Sequence, residues 1–169
     1  MQDLANFRVW GPMIVNWAAA VVAGIVAGIL ATGIQLFLWW IFLDAVPWML
    51  YRDARLTAAI IMGREVLPPP ATFDWTVMIV ATLIHFLISI AYSLVLAGLI
   101  ARLRMLLSLL AGAIYGLILY GINMYGVTII FPWFSEARDW ITVVTHIMFG
   151  ISVAGVYKAF AKQEYRRFL

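Results

Sequence analysis

The chain has 169 residues, of which 66% are hydrophobic and only 11% charged, and its mean hydropathy is +1.02. A soluble domain of this size has too little polar surface to cover so much apolar material, so composition excludes a soluble protein and indicates an integral membrane one. The formal net charge is +3 and there is no cysteine, which removes disulfides, thiolate metal sites and cysteine nucleophiles together.

Crossing about 30 Å of hydrocarbon takes about 20 helical residues. Four stretches without Asp, Glu, Lys or Arg are long enough, approximately residues 12–43, 75–101, 105–131 and 140–157. The first is longer than a span requires, which predicts a tilted helix or one that projects past the interface. It is too long and too Trp-rich at its far end for a cleaved signal peptide, so it is read as a retained first helix. Ala20, Gly24, Gly28, Ala31 and Gln35 are spaced to share one of its faces.

Residues 44–74 form the one long connection. Residues 47–63 are helical in propensity, mixed in polarity and too charged to span, which predicts a helix lying on the outer interface. Gly63 is expected as its C-cap, and Leu67-Pro-Pro-Pro70 as a stiff polyproline II spacer. Asp74 fits the N-cap of the second span, with Phe73 and Met78 placed as a hydrophobic staple. Within that span Thr82, His85, Ser89 and Tyr92 share a face.

The third span repeats the first. Ala23-Gly-Ile-Val-Ala-Gly-Ile-Leu-Ala-Thr-Gly-Ile-Gln35 returns 88 residues later as Ala111-Gly-Ala-Ile-Tyr-Gly-Leu-Ile-Leu-Tyr-Gly-Ile-Asn123. The repeated face becomes Ser108, Gly112, Gly116, Leu119 and Asn123. Gly24-x-x-x-Gly28 and Gly112-x-x-x-Gly116 are small-residue motifs that let helix backbones approach closely in lipid. Room for a flat ligand is the alternative use of such a stripe. Each copy leads to a Pro-Trp pair, Pro47-Trp48 or Pro132-Trp133, and then to a span holding one histidine, His85 or His146. Ser135 is expected to cap the fourth span, on which Thr142, His146, Gly150 and Tyr157 roughly share a face.

Charge orients the chain. Arg8, Arg102, Arg104, Lys158, Lys162, Arg166 and Arg167 gather on one side against Asp3 and Glu164. Arg52, Arg55, Arg64 and Arg138 on the other side are diluted by Asp44, Asp53, Glu65, Asp74, Glu136 and Asp139. The positive-inside rule then puts both termini in the cytoplasm. Trp39, Trp40, Trp48, Trp75, Trp133 and Trp140 fall at the outer interface as an aromatic belt. The expected fold is an all-α membrane protein with four transmembrane helices and an interfacial helix at 47–63. It forms one domain over 1–169, built from two parallel helical-hairpin repeats at about 12–101 and 105–160.

Gln35 and Asn123 each lie about eight residues, roughly 12 Å, from the outer end of their helix, and His85 and His146 lie at a similar depth. One polar side chain per helix therefore enters a shared layer, and an ionisable residue inside a span is a functional candidate by default. Three readings stay open. The layer is an interhelical network of neutral histidines bonded to Gln35, Asn123 or backbone carbonyls; or His85 and His146 ligate haem b; or the layer forms a proton or solute path with histidine as the titrating group. No Asp or Glu lies within a span, which counts against ion-coupled transport and against metal hydrolysis. Motifs for nucleophile elbows, zinc proteases, phosphate loops and dinucleotides are absent.

Leu67-Pro-Pro-Pro-Ala-Thr-Phe-Asp74, His85-Phe-Leu-Ile-Ser-Ile-Ala-Tyr92, Gly112-Ala-Ile-Tyr-Gly-Leu-Ile-Leu-Tyr-Gly-Ile-Asn-Met-Tyr-Gly126 and Phe131-Pro-Trp-Phe-Ser-Glu-Ala-Arg-Asp-Trp140, leading to His146, carry a resemblance over most of the chain. The chain resembles small proteobacterial membrane proteins often labelled "sodium:proline symporter", which implies a bacterial inner-membrane location. Sodium-solute symporters are larger and carry discontinuous helices at the midplane, so the label itself does not transfer to a chain with four spans. The favoured expectation is a non-enzymatic accessory or scaffold subunit without cofactor or metal. Its partners are the lipid bilayer and other membrane chains, either copies of itself or a larger complex, with no nucleic acid. The alternatives are a small channel or transporter built on Gln35, His85, Asn123 and His146, and a haem b electron carrier using the two histidines.

Overall fold

The computed structural model describes residues 15–167, with side chains from 15 to 161. The expectations for Asp3, Arg8, Lys162, Glu164, Arg166 and Arg167 lie outside the described side chains. The described residues are all-helical, without a strand. Five α-helices run α1 (Trp17–Leu43), α2 (Trp48–Met62), α3 (Trp75–Ile100), α4 (Met105–Gly121) and α5 (Trp140–Arg167). Four segments are long and apolar enough to cross a membrane: α1, α3, α4 with its continuation to Ile129, and α5. Their outward faces are rows of exposed Leu, Ile, Phe and Trp, as lipid requires.

Caps set most of the helix starts. Asn16 Oδ1 accepts from Ala19 N at 2.9 Å and opens α1, and Asp74 Oδ1 accepts from Val77 N at 3.0 Å and opens α3. The expected cap by Ser135 is wrong. Ser135 sits in a 3₁₀ segment, Pro132–Ala137, and donates to Pro132 O, whereas Asp139 Oδ1 accepts from Thr142 N at 2.8 Å and opens α5. A carboxylate three residues before an orphan N–H is the stronger partner. Gly63 ends α2 at φ 88°, a conformation that favours glycine. In place of the expected polyproline II spacer, residues 68–70 form a bend.

Packing follows the glycines. α1 lies against α3 and α5, α4 runs along α5, and α3 meets α4 only sparsely. A Cβ on Gly24 would stand 2.8 Å from Ile90 Cα and 2.9 Å from Ser89 O. On the second pair, a Cβ at Gly112 would overlap the carbonyl oxygen of Gly150, and one at Gly116 that of His146. Backbones this close exclude any side chain between them. Ser93 Oγ adds a bond to Ala20 O at 2.7 Å. The first glycine pair therefore joins α1 to α3, and the second joins α4 to α5. At the opposite end Lys158 Nζ donates to Ala101 O at 2.9 Å, satisfying a carbonyl at the end of α3.

α2 covers the other end of the spans. Ala54 and Ala58 pack on Val77 and Ala81 of α3, and Leu56 meets Met124 and Ala137. Trp133 Nε1 donates to Leu56 O at 2.9 Å, and Arg55 donates to Val66 O and Thr72 O, each at 3.1 Å through its terminal nitrogens. Of the tryptophans expected in the belt, Trp40, Trp48, Trp75 and Trp140 are exposed, whereas Trp39 is buried inside the protein and Trp133 serves as a tie to α2.

Because Gly112 and Gly116 touch backbone, Gly112→Ala and Gly116→Ala are each expected to destabilise the fold by about 1–3 kcal/mol. A lowered thermal midpoint in detergent measures it. Gly33→Ala, where nothing lies within 4 Å, is expected to leave the midpoint unchanged or slightly raised, since Ala favours helix.

Candidate functional site

The four polar residues singled out in the sequence converge. Gln35 from α1, His85 from α3, Asn123 from the continuation of α4 and His146 from α5 all line one cavity of about 250 Å³ at the α2 end of the spans. Its wall also takes Asp53, Leu56, Thr57 and Ile60, which recur on one face of α2 at helical spacing. α2 is thus the cover of the cavity as well as an amphipathic surface helix.

The α4 side is built by an irregularity. After Gly121 the chain passes through a π-helical turn, Ile122–Gly126, and a 3₁₀ turn, Val127–Ile129. Such turns free backbone groups and concentrate at functional sites. Arg138 Nε takes one freed carbonyl, Met124 O, at 2.7 Å, and its guanidinium lies 4.5 Å from the Tyr125 ring centre. The turn carries Asn123 and Met124 onto the cavity wall. Gln35, its counterpart in the first copy, sits in unbroken α-helix, so the two amides are not equivalent.

A relay of hydrogen bonds crosses the wall. Tyr92 Oη donates to Asn123 Oδ1 at 2.6 Å, Asn123 Nδ2 lies 3.2 Å from His146 Nε2, and His146 Nδ1 lies 2.8 Å from Thr142 O. A carbonyl can only accept, so His146 carries its proton on Nδ1 and receives Asn123 on Nε2. That is the neutral imidazole. Tyr115 Oη in turn donates to Tyr92 O at 3.0 Å. Where α3 and α4 touch least, these tyrosines bridge them.

His85 is held differently. Its Nε2 lies 3.3 Å from Gly28 O and 3.4 Å from Thr32 Oγ1. Donation to the carbonyl leaves Nδ1 as an acceptor without a protein partner among the described residues. Gly28 is therefore more than a packing glycine, because a Cβ there would lie 3.1 Å from this imidazole. Ser89 and Tyr92 line the cavity beside His85, whereas Thr82 points away and donates to Met78 O.

The residue that sequence reasoning missed is Asp53. It read as one of several acids diluting the charge of a loop. Folding brings it over the cavity, where Gln35 Nε2 donates to its Oδ2 at 3.4 Å. Arg52 meets Oδ1 through Nε at 2.8 Å and through its terminal nitrogen at 2.7 Å. Burial pushes the Asp53 carboxyl up to about 6. Arg52 pulls it down by charge and hydrogen bonding, and Asp139 and Glu136 push it up slightly. The spans contain no acid, as expected, yet an acid reaches the polar layer from the surface helix. Its only advance signal is the spacing of Asp53, Leu56, Thr57 and Ile60 on one face. Thr142, placed by the sequence on the His146 face, also lines the cavity, and its buried hydroxyl has no partner among the described residues. Among the described residues no three of His, Cys, Asp and Glu cluster as metal ligands.

The Asp53 carboxyl has an unfolded value near 3.8 and a folded value near 6. Between those values the folded state binds the proton more tightly, so stability is expected to fall as pH rises through that window. Thermal midpoints at pH 4.5 and 7.5 measure this, and Asp53→Asn is expected to flatten the Asp53 contribution. Comparison of the chain with protein-family models, with curated proteins and with solved structures finds no match.

Proposed function

We propose that this multi-pass protein is a non-enzymatic, transport-type unit that binds a small polar solute in the cavity beneath α2. The observation that carries the reading is convergence: Gln35, His85, Asn123 and His146 line a single space together with a buried carboxylate. Side chains serving only to hold helices together would consume one another's hydrogen-bonding capacity. Here His85 Nδ1 and one Asp53 oxygen keep capacity that a ligand can use. A scaffold role is favoured only by the relay from Tyr92 to Thr142, which is fully internal.

The haem alternative draws no support from the donor set. Iron ligation by His146 would take its Nε2 from Asn123, because Nδ1 carries the proton bonded to Thr142 O. Among the described residues no Lys or Arg lines the cavity to meet haem propionates. The rest of the reading follows the sequence. The two glycine-paired helix pairs are hairpin repeats related by an axis along the membrane normal, the basic ends are cytoplasmic, and α2 faces the outside of a bacterial inner membrane. The resemblance to small proteobacterial membrane proteins supports that location, and assembly into a homo-oligomer or a larger membrane complex belongs to the same reading.

In liposomes, His85→Phe and His146→Phe are expected to keep helix content and monodispersity while losing most of the protein-dependent swelling in small polar solutes. Light scattering measures the swelling. Unchanged swelling together with lost assembly would assign the layer to packing instead.

A further inference from the structure

Which solute fits is set by the donors and acceptors on the cavity wall, so the inference rests on the binding reading above. Acceptors predominate. Asp53 Oδ1 is held by Arg52, but Oδ2 receives only the long 3.4 Å bond from Gln35. His85, donating through Nε2, keeps Nδ1 as an acceptor. Thr32 and Gln35 are three residues apart on one face of α1, and they touch His85 and Asp53 respectively. That spacing sets the imidazole and the carboxylate on adjacent turns of one helix, within reach of a single small ligand. Thr142, a residue 4% exposed, lines the same space.

Among the described residues no Lys or Arg lines the cavity. Arg52 is committed to Asp53, and Arg138 to Met124 O and Thr128 Oγ1. An anionic ligand would place like charge beside Asp53, whose Arg52 partner is already committed, and a neutral one would leave the buried carboxylate partly compensated. A cation with several N–H donors meets every open acceptor. Tyr92, Phe134 and Phe149 supply aromatic wall, which also favours a cation. At about 250 Å³ the space is smaller than a drug-sized pocket.

We propose that the cavity binds a small primary ammonium group, its N–H bonds donating to Asp53 Oδ2, His85 Nδ1 and the Gln35 side-chain oxygen. Its short alkyl part lies against Ile60 and Ile88. The ammonium comes either from a free amine or from the headgroup of an aminophospholipid.

Three probes of equal size and different charge test this by titration calorimetry in phosphatidylcholine nanodiscs: propylammonium, propionamide and propionate. Propylammonium is expected to bind at pH 7.5 and to bind about tenfold more weakly at pH 5, where a carboxyl titrating near 6 is mostly protonated while the amine keeps its charge. Asp53→Asn, with helix content and monodispersity checked, is expected to abolish the heat, and His85→Phe to weaken it. Equal or stronger binding of propionamide or propionate overturns the ammonium assignment and leaves the cavity reading standing. No heat from any probe, with wild type matching a cavity-filled Thr57→Phe variant, overturns both. A pH-independent affinity overturns the assignment even if Asp53→Asn fails to fold. Repeating the titration with phosphatidylethanolamine in the nanodisc separates the sources. Weakened propylammonium binding assigns the site to the lipid headgroup, and unchanged binding to a free amine.

Discussion

Backbone contact through glycine is the constraint on which the rest depends. In lipid there is no hydrophobic gain from joining two apolar helices, so association relies on close packing and a few hydrogen bonds. Gly24 against Ile90, and Gly112 and Gly116 against Gly150 and His146, bring the backbones into touch along part of each helix pair. The contacts reach the histidines themselves, Gly28 meeting the His85 ring and Gly116 the His146 backbone, and about two turns further along α1 and the α4 continuation stand Gln35 and Asn123. The cavity is the continuation of the same interfaces with larger, polar residues.

Polar groups inside such an assembly are costly unless partnered, and the chain partners them unevenly. His146 is locked on both nitrogens by Asn123 and Thr142 O. His85 is tied on one nitrogen only. The π-helical turn accounts for part of the difference, because it moves Asn123 to where it bridges Tyr92 and His146, while Gln35 reaches outward to Asp53. Of the two histidines, one is thus bonded on both nitrogens and the other keeps an open acceptor. The asymmetry extends to the loops: the first Pro-Trp pair opens a full helix that covers the cavity, and the second lies in a short 3₁₀ segment that pins that helix through Trp133.

Asp53 joins the two halves of this picture. Its position over the polar layer depends on α2 being held down at Leu56 by Trp133 and at Arg55 by the loop carbonyls. Arg52 offsets part of the carboxylate's charge, and burial still raises its affinity for a proton. Under the proposed ammonium binding, protonation and ligand binding at Asp53 Oδ2 are alternatives, which would couple the occupancy of the cavity to pH.

The four spans, the surface helix, the glycine faces and the depth of four polar residues were legible in the sequence, because each depends on local quantities: run length, helical spacing and distance from a helix end. Asp74 as a cap was legible for the same reason. What lay beyond reach involved contacts between distant segments. Asp53 could not be told from its neighbouring acids until α2 had a place to lie. Ser135 lost the cap to Asp139 because the loop folds as 3₁₀ helix, and Trp39 left the interface for the interior. The π-helical turn at Asn123 is stabilised by Arg138, 15 residues further on. The sequence by itself determined which segments cross the membrane and which side chains reach the polar layer, since transfer from water to lipid is decided residue by residue. Only the tertiary structure decided that those side chains share one cavity with a carboxylate above it, since that depends on how closely backbones approach.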